Sequence, residues 1–130
     1  MKLRILGDSI RFRLGKREVH RFLRKSSIEE ATHFPNPNKE CLIYELQIAT
    51  EDPTMSCQFV NGRLTVSIPH EIVHHWATSD EVSIRGVLPL DEHGTSRLKI
   101  LIEKDFECLD SSTEEPEDDA FPNPKSIEPA

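Results

Sequence analysis

Apolar and polar residues alternate along this chain in short runs, and a turn signal breaks each run. Ser56–Val60 and Arg63–Ile68 flank Asn61-Gly62. Asn-Gly between alternating runs marks a two-residue hairpin, because both residues tolerate the positive φ of a type I′ turn. Gly7-Asp8 holds the same place before Ile10, Phe12 and Leu14, and a leading glycine suits type II′. The period then changes. Ile72, Val73, Trp76 and Ala77 fall on one face of a helix over Pro69–Ala77, with His70, Glu71, His74 and His75 on the other. Val19, Phe22 and Leu23 make the apolar face of a helix over Lys16–Arg24. Both helices span about two turns, too short to stand without packing. The expected later strands are Ile28–Phe34, Leu42–Ile48, Val82–Val87 and Leu98–Glu103.

The pattern occurs twice. Shifted by 54 positions without a gap, Leu3, Ile5 and Leu6 fall on Cys57, Phe59 and Val60. Ile10, Phe12 and Leu14 fall on Leu64, Val66 and Ile68; Val19 and Phe22 fall on Val73 and Trp76. Continued at the same offset, Ile28 falls on Val82, Phe34-Pro35 on Leu88-Pro89, and Tyr44, Leu46 and Ile48 on Leu98, Ile100 and Ile102. Such a repeat fixes the architecture before any local assignment. The expectation is a mainly β domain over 1–106 with two short α-helices, built from units 1–52 and 53–106 related by a pseudo-twofold axis. A closed barrel is the natural end point, because closure removes exposed strand edges. Residues 107–130 read as a disordered acidic tail.

The stretch GRLTVSIPHEIVHHWATSDEVSI resembles the core of the AbrB-type swapped-hairpin domain, on Ile68-Pro69 and Asp80-Glu81-Val82. SIRFRLGKREVHRFLRKSSIEE resembles a weaker copy without the Ile-Pro. The resemblance implies hairpins interlaced into one barrel, here fused in a single chain, and DNA contacts from basic residues on the early strands and loops. The whole chain also resembles a family of small uncharacterised bacterial proteins, a likeness that implies no function.

Charge is unevenly spread. Residues 1–25 carry nine bases against two acids, whereas residues 105–130 carry nine of the 23 acids and one base, Lys125. No stretch is long and apolar enough for a membrane span, and the N-terminus lacks a signal-peptide apolar region. Cys41, Cys57 and Cys108 are odd in number and widely spaced, as in a reduced cytoplasmic protein rather than a disulfide framework. No glycine-rich phosphate loop and no G-x-S-x-G is present.

The basic head is the leading candidate site. Strand alternation puts Lys2 and Arg4, with Arg11 and Arg13, on one face of the first hairpin, and Lys16, Arg17, Arg21 and Arg24 extend the set along the helix. Such a ladder is repulsive unless anions neutralise it, which points to nucleic acid or another polyanion. The bland alternative is a solvated charged face. Gln58, Thr65 and Ser67 replace the arginines in the second half, so a symmetric half-site reader is not expected. His70-Glu71-Ile72-Val73-His74 spells H-E-x-x-H, with Asp80 ten residues after His70. A zinc-dependent hydrolase would use that spacing. Ala77 stands where relatives of that motif have glycine, and no methionine follows it, so a solvated histidine face is expected, with no metal and no cofactor. Phe34-Pro35-Asn36-Pro37 recurs as Phe121-Pro122-Asn123-Pro124, a pattern that would suit docking of a protein partner. The expected role is a non-enzymatic binding or regulatory module; its acidic tail reads as a solubilising segment, with competition for the basic face as the alternative.

Overall fold

The computed structural model describes residues 1–106. The expected acidic tail, Cys108 and the second Phe-Pro-Asn-Pro lie outside the described residues. Within them the chain forms β1 (Lys2–Ile5), β2 (Ser9–Leu14), α1 (Lys16–Lys25), β3 (Ser27–His33), β4 (Cys41–Ala49), β5 (Ser56–Val60), β6 (Arg63–Pro69), α2 (His70–Thr78), β7 (Ser83–Pro89) and β8 (Arg97–Lys104). The two tight turns follow from their residues. Asn61 and Gly62 both have positive φ, 51° and 77°, as a type I′ turn requires, and Gly7 has φ 55°.

The strands make two four-stranded sheets, in the orders β1-β2-β8-β7 and β3-β4-β6-β5. Each sheet takes one antiparallel hairpin from each half of the chain, and a parallel pair joins them at the centre: β2 with β8, and β4 with β6. The first and last hairpins therefore share one sheet and the two middle hairpins the other, and each half contributes to both.

The ladder registers differ by two offsets rather than the single one expected. Lys2↔Arg13 in the first hairpin corresponds to Ser56↔Ser67 in β5–β6, an offset of 54. Ser27↔Gln47 corresponds to Ser83↔Glu103, an offset of 56. The parallel seams agree: Ile43↔Arg63 in one matches Lys99↔Ser9 in the other. At the offset of 56, Ile28 holds the ladder position of Ile84, not Val82, Leu46 that of Ile102 and Tyr44 that of Ile100, and Phe34 opens its loop as Leu90 does. The physical reason lies after the helices. Ser26 takes the left-handed conformation (φ 64°) and turns the chain straight into β3, whereas Ser79 is extended and a longer link runs to β7. Trp76 Nε1 holds that link by donating to the Val82 carbonyl at 2.9 Å.

The inner faces of both sheets and one side of each helix share a core. Phe12, Leu14, Phe22, Leu46, Val66, Ile68, Val73, Trp76, Ile100 and Ile102 are fully buried, and among the described residues no buried side chain is polar or charged. α2 departs from the expected wheel at Ile72, which is exposed. Pro69 closes β6 and stands at the N-cap rather than inside the helix. In α1, Glu18 accepts from the Gly15 N–H at 2.9 Å, half of a capping box to which glycine can return nothing.

The sheet edges approach each other at two places. Between β1 and β3, the Met1 amino group lies between Glu18 and Glu30, 3.4 Å from the latter, and Tyr44 donates to the Met1 carbonyl at 3.4 Å. Between β5 and β7, Met55 fills the space beside Gly86; a Cβ there would meet the Met55 sulfur at 2.3 Å. Met1 and Met55 are 54 residues apart, and Glu30 and Gly86 are 56 apart. No helix among the described residues is long and apolar enough to cross a membrane.

Candidate functional site: the outer face of the basic sheet

Alternation sends every second residue of a strand outward, and the ladders fix which outward residues become neighbours. In the β1–β2 hairpin Lys2 stands opposite Arg13 and Arg4 opposite Arg11, so the four bases share one face. Leu3, Ile10, Phe12 and Leu14 point to the other side, in or against the core. Lys2, Leu3, Arg4, Arg11 and Arg13 line a shallow depression of about 140 Å³.

The parallel seam extends this face into the second half of the chain. Ser9, Arg11 and Arg13 align with Lys99, Leu101 and Glu103 of β8, which align in turn with Val87, Arg85 and Ser83 of β7. Arg85 and Lys99 therefore join the outward surface, and both are exposed. Among the described residues seven bases (Lys2, Arg4, Arg11, Arg13, Arg85, Arg97 and Lys99) share it with Glu103, and Asp105 stands at its margin. Composition by halves missed Arg85 and Lys99, because interleaved hairpins put β7–β8 beside β1–β2. The signal was present in β8, where Lys99 alternates with Leu98 and Ile100, and in β7, where Arg85 follows Ile84.

Glu103 partly neutralises the face. Its Oε1 accepts from Arg13 at 2.8 and 3.1 Å and lies 3.5 Å from Arg11 Nε. One carboxylate oxygen thus serves two guanidinium groups. Lys2 pairs with Asp105 at 3.2 Å, just past β8. Partly exposed pairs of this kind are each worth about 0–1 kcal/mol, little resistance to a competing anion.

The other sheet has the opposite character. On its outer face Glu29 stands opposite Glu45 in the β3–β4 ladder. Arg63 relieves that repulsion, donating to Glu29 at 2.7 Å and to Glu45 at 3.2 Å. Those hydrogen bonds, chiefly the one to Glu29, raise the Arg63 pKa. Thr65, Ser67 and Gln58 complete a surface with two acids and one base. The charge is divided between the sheets rather than between the halves of the chain.

Of the helical bases, Lys16 lines a cleft with Lys104 and Asp105, next to the Lys2–Asp105 pair. Arg17, Arg21 and Arg24 are exposed on α1. On α2 the His70 and His74 rings stack with centroids 5.9 Å apart and planes 16° from parallel. Asp80 lies beyond the helix in the link to β7, and His75 is 3.8 Å from Glu81. Among the described residues, no three His, Cys, Asp or Glu side chains are placed to share an ion. Cys41 and Cys57 are free, and burial pushes the Cys57 thiol pKa up. Phe34 to Pro37 open the β3–β4 loop, where Asn36 Oδ1 accepts from the Glu40 N–H at 3.1 Å. The half-exposed Phe34 and Phe59 line a cleft of about 600 Å³.

No curated protein and no solved structure matches the chain. Residues 1–125 match the family of unknown function DUF7009, and the chain belongs to that family.

Proposed function

We propose that this protein is a non-enzymatic binding module that holds a polyanion, with duplex nucleic acid the first candidate, on the outer face of the β1-β2-β8-β7 sheet. The observation that carries the reading is the pairing of Arg4 with Arg11 and Lys2 with Arg13, continued by Lys99 and Arg85, a set of bases that outnumbers the carboxylates Glu103 and Asp105 beside it among the described residues. No aromatic side chain stands among these outward residues. Base stacking, the usual grip on single strands, is therefore not offered, and phosphate contacts are. Residues 107–130, acidic in sequence, compete for the same face.

The architecture belongs to the same proposal. Two fused hairpin-helix-hairpin units interlace as in AbrB-type swapped hairpins, and the edges close into one barrel. The paired ladder offsets and the corresponding contacts of Met1 with Glu30 and Met55 with Gly86 support this. The experiment is a titration of the full chain with a fluorescent DNA duplex at about 50 mM salt, where phosphate contacts are strong. Arg11→Ala with Arg13→Ala should weaken binding and lower its salt dependence, and Arg63→Ala on the opposite sheet should leave both intact. Equal losses from both variants would refute the assignment to this face.

A further inference from the structure

The cleft beside the helices has a character that the polyanion face lacks. It measures about 550 Å³ and is lined by Leu14, Val19, Leu23 and Ala77, with Lys16, His20, Lys104 and Asp105 around them, the last already paired with Lys2. Lys104 is already engaged: its Nζ donates to the Ser79 carbonyl at 2.9 Å and lies 5.7 Å from the Trp76 ring centre. Lys16 and His20 are exposed on the polar face of α1, and at 100° per residue Arg17 and Arg24 lie next to them. The cleft thus joins an apolar floor to a cationic flank. The described chain ends at this place, because Phe106 is itself one of the lining residues.

We infer that the cleft holds a segment of this same chain, residues 117–124, with Phe121 seated between α1 and α2. Two arguments support that occupant. The first is charge and shape. Phe121 is the only aromatic residue of 107–130, and Glu117, Asp118 and Asp119 precede it, a sequence complementary to an apolar slot flanked by Lys16, Arg17 and Arg24. The second is reach. Fifteen residue steps lead from Phe106 to Phe121, and an extended chain spans up to about 3.3–3.6 Å for each. A tether of this length holds its end at an effective concentration on the order of millimolar, so a contact too weak to form between separate molecules is populated within one. The two proposals draw on the same acidic tail but on different receiving surfaces, since the cleft and the outer face of the sheet use different described residues.

The test is methyl NMR of the full chain without added polyanion. A seated Phe121 ring shifts the Val19 and Leu23 methyl resonances upfield. Phe121→Ala should remove that shift. Asp118→Asn with Asp119→Asn should weaken it, and added salt should weaken it further. The shift should be independent of protein concentration. Val19 and Leu23 methyl resonances identical in wild type and Phe121→Ala would overturn the inference. A shift that grows with protein concentration would also overturn it, by making a second copy the donor. Retained duplex binding in Phe121→Ala separates the two proposals, because only the sheet face is needed for it.

Discussion

Replacing Gly62 by alanine should destabilise the protein more than the same replacement at Gly7, although both glycines serve tight turns and both have positive φ. The left-handed conformation disfavours any side chain by roughly 1–2 kcal/mol. Alanine recovers about 0.4–1 kcal/mol by narrowing the unfolded ensemble. At Gly7, where a Cβ would meet nothing within 4 Å, the net loss is therefore about 0–1.5 kcal/mol. At Gly62 a Cβ would stand 2.9 Å from the Cys41 carbonyl oxygen. That atom belongs to the backbone of β4, and the next turn of the ladder is pinned by the Ile43 N–H donating to the Gly62 carbonyl at 2.9 Å. Neither side can yield alone, so an overpacking penalty of about 1–3 kcal/mol is added. The difference between the variants should be about 1–3 kcal/mol, or roughly 4–12 °C in Tm. Urea and thermal unfolding of the two variants measure it. Equal losses would refute the argument that β4 and the β5–β6 turn are locked together.

Other outcomes follow from single contacts. Burial pushes the Glu18 pKa up, but hydrogen bonds from the Met1 amino group and the Gly15 N–H outweigh it and leave the pKa lowered from 4.5. A lowered folded pKa stabilises above the unfolded value and loses its contribution as pH falls through the folded value. The stability gap between wild type and Glu18→Gln should therefore be full near neutral pH and shrink below 4.5 in urea titrations. Trp76→Phe removes the bond to the Val82 carbonyl and part of a fully buried ring. It should cost about 2–3 kcal/mol in equilibrium unfolding. Purified protein should carry far less than one zinc per chain by elemental analysis, and stoichiometric zinc lost in His74→Ala would revive a hydrolase reading.

Much of the fold was legible because local chemistry and tertiary packing agree. Asn61-Gly62 marked its hairpin, and Ser56–Val60 was bounded correctly from alternation alone. Phe22 and Trp76 were placed on buried helix faces by the helical period. The two-residue slip in the later strands was not legible. Val82 and Ile84 are both β-branched, and a shift of two keeps the same alternation, so period alone cannot choose between them. The ladder chooses Ile84, which is buried, while Val82 is left exposed. The site was legible by half for a similar reason. Lys2, Arg4, Arg11 and Arg13 lie close in sequence, whereas Arg85 and Lys99 reach the same surface only through the β2–β8 seam, a long-range pairing that no local pattern announces.

The most direct test of the account is the salt dependence of duplex binding in Arg85→Ala with Lys99→Ala, since these residues join the face only if the sheet is assembled as described. Over a salt series starting near 50 mM, each phosphate contact removed should reduce the log–log slope by about 0.9. The double variant should lose as much slope as Arg11→Ala with Arg13→Ala, a reduction of about 1.8 if both side chains meet phosphate. An unchanged slope, or no binding of duplex by the wild-type chain at the lowest salt, would contradict the account.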